Sequence, residues 1–338
     1  MLEKPNIPDE LIISRLQEEY SLRVTTFTFL PIGADSRTSV YRVVTETGIA
    51  YFLKLRKNFN DVIVRVPLFL RENGVEAIIA PLETTSKQHW ADFDDYKLIL
   101  YPFIDGKNGF ETDLTDQHRR HLGATFKRIH TAKIPPTLAS LIRKETFDLG
   151  WRESLRRYQT QVKTKRFGDP TAAKLAEFMR SRQGEITRIL ERSQQLASEL
   201  RSQSWNFALC HSDIHGGNIL IGDTGELHVV DWDDPILAPK ERDLMFIGGG
   251  IDDLWKSEQE IDRFYQGYGE TEIDLTALAY YRYERVIEDL VVICDQLLTT
   301  DEGGADRERS YGWFIGNFEP GQTIEIADRT ATLLKAAG

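Results

Sequence analysis

The sequence predicts an α+β protein, and three observations carry that reading. From residue 23 to about 104 the chain is rich in β-branched and aromatic residues broken by Gly, Asn or Asp, as strands are. Beyond "IDGKNG" (104–109) the apolar residues recur at helical spacing. One short β interruption, "NILIGDTGELHVV" (218–230), lies inside the helical part.

Residues 9–20 form a predicted amphipathic helix with Leu11, Ile12 and Leu16 on one side. "RVTTFTFLPI", "SVYRVVTETGIAYFLKLR" and "YKLILYPFI" are the predicted strands, with "TETG" (45–48) as a hairpin turn. Between them, 60–73 is apolar at helical spacing but contains Pro67, so it reads as a helix that is kinked or starts late. In the second part "TDQHRRHLGATFKRIHTA" brings Leu122, Phe126 and Ile129 onto one face. "AAKLAEFMRSRQGEITRILERSQQLASEL" and "LTALAYYRYERVIEDLVVICDQLL" continue in the same style. The predicted division is therefore 1–104, β-rich, and 105–338, mainly helical.

Composition narrows the partners. The 338 residues are 41% hydrophobic and 28% charged, ordinary for a folded domain, and carry a net charge of −11. That acidity opposes non-specific binding to nucleic acid or anionic membranes and favours cationic partners. The two cysteines, Cys210 and Cys294, have no metal-ligand spacing and form no disulfide framework. The first residues lack a basic region followed by an apolar run, and no apolar stretch reaches the roughly 18 residues of a membrane span. A cytoplasmic setting is the expectation.

The chemistry concentrates in "CHSDIHGGNILIGDTGELHVVDWDD" (210–234). If "NILI" and "LHVV" pair antiparallel across "GDTGE", Asn218 and Asp231 finish side by side at one end of the hairpin. An amide oxygen and a carboxylate held together are hard ligands, suited to Mg²⁺ carrying phosphates. Asp213, five residues before Asn218, supplies a further carboxylate at the far end of a loop.

The spacing His211-x-Asp213-x-x-x-x-Asn218, followed after a hairpin by Asp231 in "VVDWD", resembles the catalytic and metal segments of kinase-like phosphotransferases. "APKERDLMFIGGG" (238–250), "FYQGYGETEID" (264–274) and "YYRYERVIEDL" (280–290) resemble the spectinomycin phosphotransferase branch of the aminoglycoside phosphotransferase family. The resemblance runs from about residue 20 to 320. It implies a bilobal protein-kinase-like fold with a β-rich N-lobe that binds nucleotide and a helical C-lobe that binds substrate.

It also implies roles. Asp213 accepts or orients the proton of the substrate hydroxyl, Asn218 and Asp231 hold Mg²⁺, and His211 and Asp243 support the loop. Lys54 in "IAYFLKL", one strand after "PIGADSRTSVYRV", matches the lysine that meets the phosphates of ATP or GTP. The loop 32–38, with Ser36, would cover those phosphates despite its single glycine. Backbone groups of Pro102, Phe103 and Ile104 in "LILYPFIDG" would meet the base. The helix after Lys54 has no Glu at its start; Asp61 is the best positional match for the partner of Lys54, Glu72 lies near the other end, and Asp61 equally fits a helix N-cap.

For a cationic amino-sugar acceptor the sequence offers carboxylates at Asp233, Asp234, Glu284, Glu288 and Asp289, with Tyr281 as a stacking ring. The helix bearing Glu284 and Glu288 fits a solvated surface equally well. His130 in "KRIHTA" reads as a structural hydrogen-bonding residue. The expected activity is O-phosphorylation of a spectinomycin-like aminocyclitol. The alternatives are a kinase for choline, homoserine, a thio-sugar or another natural product, and a catalytically silent ligand-binding relative.

Overall fold

The computed structural model describes residues 4–32, 37–148, 150–251, 254–300, 304 and 306–337. In chain order the elements are α1 (Asp9–Tyr20), β1 (Val24–Leu30), β2 (Thr38–Thr45), β3 (Ala50–Arg56), α2 (Val62–Glu72), β4 (Ala91–Phe93), β5 (Tyr96–Pro102) and β6 (Gly106–Asn108). Then follow α3 (Asp116–His130), α4 (Pro136–Ala139), β7 (Arg143–Lys144), α5 (Gly150–Thr164), α6 (Pro170–Ser181), α7 (Gln183–Arg201), β8 (Ala208–Cys210), a 3-10 turn (Gly216–Asn218), β9 (Ile219–Gly222) and β10 (Leu227–Val229). The chain closes with β11 (Ile236–Ala238), α8 (Glu241–Leu244), α9 (Glu258–Tyr268), α10 (Leu275–Thr299), α11 (Asp306–Gly316) and α12 (Thr323–Ala337).

The chain divides into two compact units. One comprises 1–113, 132–142 and 216–235; the other comprises 114–131, 143–215 and 236–338. The interleaved units differ from the expected single cut at 104. The hairpin β9–β10 pairs with β6, and that hydrogen bonding draws residues far along the chain into the first unit.

In the first unit a five-stranded antiparallel sheet has the order β1-β2-β3-β5-β4. Alternation along β2, β3 and β5 buries Tyr41, Val43, Leu53, Leu55, Leu98 and Leu100 in one core, and α1 adds Ile12 and Leu16 to it. Leu11, expected on that same face, is 53% exposed, because it lies about 100° around the helix from Ile12. The "TETG" hairpin forms as predicted, with Gly48 at φ 79°. The helix expected over 60–73 starts late, at Val62, and keeps Pro67 inside. A second sheet, β10-β9-β6, carries the hairpin. Gly106 is required there, since a Cβ on it would stand 2.2 Å from the Ile221 carbonyl oxygen.

In the second unit α10 is the central helix, capped by the Asp274 carboxylate, which accepts from the Ala277 N–H at 2.8 Å. It buries Tyr280, Tyr281, Tyr283, Ile287, Leu290 and Leu297 among others. Helices α3 and α9 pack with backbones in near contact. A Cβ on Gly267 would lie 1.8 Å from the Arg120 carbonyl oxygen, so glycine permits the crossing. Three short strands, β7-β11-β8, form a sheet beside the helices. These strands were not anticipated: two or three residues are too short to show a period.

Candidate functional site

In the first unit, period-two alternation on β3 points Leu53 and Leu55 into the core and Lys54 and Arg56 to the other face. Lys54 is buried, and its Nζ donates to Asp231 Oδ1 at 2.8 Å and to Asp233 Oδ1 at 2.6 Å. Arg56 Nη1 pairs with Asp233 Oδ2 and donates to Thr38 Oγ1 at 3.1 Å. Burial alone would lower the pKa of Lys54, but the charges of Asp231 and Asp233 outweigh it and hold the ammonium well above its ordinary value. Lys54 is therefore a permanent cation.

The hairpin aligns the two candidate metal ligands. Ile219 pairs with Val229, and the Val230 N–H donates to the Asn218 carbonyl at 3.0 Å, so Asn218 and Asp231 leave from the same end. Asp231 sits at φ 65°, a left-handed conformation that Asp tolerates better than most residues and that occurs where function imposes it. The donor set, one amide oxygen and one carboxylate, fits a hard divalent cation such as Mg²⁺.

In the second unit the loop after β8 is held from beneath. Asp243 is fully buried; its Oδ2 accepts from the His211 N–H at 2.9 Å and its Oδ1 from the Ser212 N–H at 2.7 Å. His130 Nε2 lies 2.9 Å from the same Oδ2, and His130 Nδ1 lies 2.8 Å from the Tyr268 hydroxyl. A carboxylate only accepts, so Nε2 carries the hydrogen, and in the neutral ring Nδ1 accepts from Tyr268. Cys210 joins His130 and Asp243 in a set of metal-capable atoms within 4.8 Å of one another. Those atoms are taken by the hydrogen bonds just described and by carbonyls facing the Cys210 thiol.

Ser212 has φ 74°, and the next residue is the candidate catalytic carboxylate. The Asp213 N–H donates to His211 Nδ1 at 3.3 Å, Arg285 Nη1 donates to Asp213 Oδ1 at 2.7 Å, and His215 Nε2 lies 3.4 Å from Oδ2. Burial by itself would raise the pKa of Asp213, but the bond to His215 and the Arg285 charge overcome it and hold the carboxyl well below the usual range. Asp213 is ionised at any physiological pH.

The phosphotransferase enzyme family, APH, matches residues 27–282 of the chain. The chain belongs to that family. Among solved structures, this phosphotransferase is similar to spectinomycin phosphotransferase APH(9)-Ia in complex with ADP and spectinomycin, at 34% identity and a TM-score of 0.89, covering 97% of this chain and 99% of the other. An AMP-bound complex of the same enzyme gives 33% identity and a TM-score of 0.84, covering 94% and 97%. Protein StrN of Streptomyces griseus is 25% identical over 246 residues, covering 70% of this chain and 74% of its own. The expected protein-kinase-like α+β fold is thereby established, and the chain is a kinase-type phosphotransferase.

Several expected assignments are corrected in the phosphotransferase. Asp61 does not meet Lys54: it stands at the N-cap position of α2, and its carboxylate pairs with Arg65 at 2.6 Å, one turn on. Asp233, expected to face substrate, takes the place beside Lys54, because Arg56 on the same strand face adds a second cation to hold it. Glu284 is buried against Ser193 and Arg152, and burial pushes its carboxyl up to about 7 despite the Arg152 charge. Glu288 lies 3.9 Å from Arg242. Asp289 lies 3.0 Å from Arg285, and burial pushes its carboxyl up to about 6 against that charge. Each of these three α10 acids is thus matched to an arginine. Tyr281 is fully buried and donates from its hydroxyl to Glu145 at 3.1 Å, so its ring is core and not a stacking surface.

The remaining expectations are placed as follows. Asp234 is exposed directly after Asp233. Pro102 ends β5 opposite Tyr51, and the Phe103 N–H donates to the Ala50 carbonyl at 3.3 Å, with Ile104 next in the chain. Ser36 lies outside the described residues. Sequence reasoning missed Arg56, Tyr268 and Arg285. Arg56 was legible two residues after Lys54 on the same strand face, and Arg285 one helical turn before Asp289.

Proposed function

We propose that the protein transfers the γ-phosphoryl group of ATP or GTP to a hydroxyl of a spectinomycin-like aminocyclitol. The observation that carries this reading is the near-full-length likeness to a spectinomycin phosphotransferase bound to ADP and spectinomycin. Asp213 orients the acceptor hydroxyl. Its carboxyl is too weak a base to store the proton, so it accepts a hydrogen bond that aims the oxygen while the new P–O bond forms and the bond to the β-phosphate oxygen breaks, and the hydroxyl proton passes to the transferred phosphoryl group and on to solvent. Lys54 meets the phosphates as a fixed cation, with Asp233 and Arg56 setting its position.

Asn218 and Asp231 would hold Mg²⁺, which when bound neutralises charge on the phosphates. Positioning and charge neutralisation supply most of the rate in such transfers. The backbone of Pro102 to Ile104 would line the base, and the 32–38 loop would cover the phosphates. A net charge of −11 fits a cationic small molecule in the cytoplasm better than nucleic acid or an anionic membrane. Among the described residues no helix is long and apolar enough to cross a membrane.

The test is nucleotide consumption by the purified protein with Mg-ATP or Mg-GTP and a panel of spectinomycin, other aminocyclitols and choline. Consumption with spectinomycin or a close aminocyclitol is expected. Consumption with choline alone would replace this acceptor by a small metabolic alcohol.

A further inference from the structure

Arg285 lies on α10 with its guanidinium between two carboxylates, Asp213 Oδ1 at 2.7 Å from Nη1 and Asp289 Oδ1 at 3.0 Å from Nε. It also lies over the Phe246 ring, 5.5 Å from the centroid. A flat guanidinium serves all three contacts at once, whereas an ammonium is a point charge that serves them one at a time. Burial alone would lower the pKa of Arg285, but Asp289 and Asp213 hold it above its ordinary value, so the cation is permanent.

An ion pair whose carboxylate is 40% exposed adds little to folding. What it does add is direction. The Asp243 bonds fix the backbone that leads into Asp213, and Arg285 fixes one oxygen of the carboxylate that leaves it. We infer that Arg285 is a positioning residue for phosphoryl transfer, acting through Asp213, with Asp289 and Phe246 holding the guanidinium plane. This rests on the reading of Asp213 as the group that orients the acceptor. The rival role is a strut that merely ties α10 to the loop.

The experiment measures kcat and KM for ATP and for spectinomycin (or for whichever acceptor the screen above identifies), with Tm, in wild type, Arg285→Lys, Arg285→Gln, Asp213→Asn and Asp213→Asn/Arg285→Gln. Arg285→Gln is expected to lose about 100-fold in kcat, the scale of a misplaced reacting group. Its KM for ATP should stay within about twofold of wild type, a margin small beside the scatter of kinetic effects. Arg285→Lys should recover part of the loss. In the Asp213→Asn background Arg285→Gln should cost nothing more, since groups acting as a unit are not additive. Should Arg285→Gln fail to fold, Arg285→Gln/Asp289→Asn removes both charges of that pair and takes its place.

A strut would lower Tm with kcat unchanged, and that result overturns the inference. So do wild-type or faster turnover in Arg285→Gln, and a full multiplicative loss in the double variant. Wild-type turnover in Asp213→Asn would instead remove the reading beneath it, and the two failures are told apart by that single variant.

Discussion

Ser212 and Asp231 occupy the same unusual backbone region, at φ 74° and 65°, and the contacts described for them differ in kind. Ser212 is held through its backbone: its N–H and that of His211 end on the buried Asp243 carboxylate, which His130 also meets. Asp231 is held through its side chain, by an ion pair to Lys54 that leaves the carboxylate 47% exposed. A left-handed residue costs roughly 1–3 kcal/mol, so each arrangement must over-determine its conformation. One arrangement is fixed and the other is exchangeable. Amides closed on a buried acid are costly to release. On the proposed function, the Lys54 cluster, with two cations and two carboxylates, would trade one carboxylate contact for a phosphate oxygen.

The sharpest way to break the comparison is Asp243→Ala. It leaves two buried amides and His130 without their acceptor, and about 3 kcal/mol or more of stability should be lost, read by urea unfolding. Turnover at a permissive temperature should fall by about 10³. Lys54→Met comes next: kcat/KM for ATP should drop by about 10²–10³, with stability changed far less than in Asp243→Ala. Asp233→Asn should cost only about tenfold, mostly in KM for ATP, because Asp231 still meets Lys54. If Asp233→Asn matched Lys54→Met, the cluster would be as rigid as the Asp243 bonds and the contrast would fail.

A pH test separates a third region, the buried Glu284–Ser193–Arg152 set. The Glu284 carboxyl is raised from 4.5 to about 7, so the folded protein holds a proton that the unfolded chain has released between those values. Its contribution is fully present below about 4.5 and is lost as pH rises to about 7, an effect of about 1–3 kcal/mol. Glu284→Gln should flatten that part of the stability–pH curve. Asp61→Asn should do least of all. Kinetics within about twofold of wild type are expected, since its partner is the neighbouring Arg65 and a single pair of that kind is worth well under 1 kcal/mol.

Local rules made much of this legible in the sequence. Turn residues and apolar runs set the hairpin, and pairing then had to bring Asn218 and Asp231 to one end. Alternation put Lys54 on the polar face of its strand, with Leu53 and Leu55 in the core behind it. What could not be read was partner choice across long stretches of chain. Asp61 was near Lys54 in sequence, but a helix N-cap position and Arg65 claimed it. Asp233, 179 residues away, met Lys54 because the hairpin docks on β6. Glu284 and Glu288 showed correct helical spacing, yet spacing says nothing about which arginines from α5 or α8 lie opposite them. For Asp289 the arginine was legible one helical turn back, at Arg285.

The most direct test of the account is ³¹P NMR of wild type and Asp213→Asn, side by side, each incubated with Mg-ATP and spectinomycin. A phosphomonoester resonance on the aminocyclitol, growing as ATP is converted to ADP, is expected in the wild type and essentially none in Asp213→Asn, while both bind ATP alike. Equal product in the two proteins would contradict it.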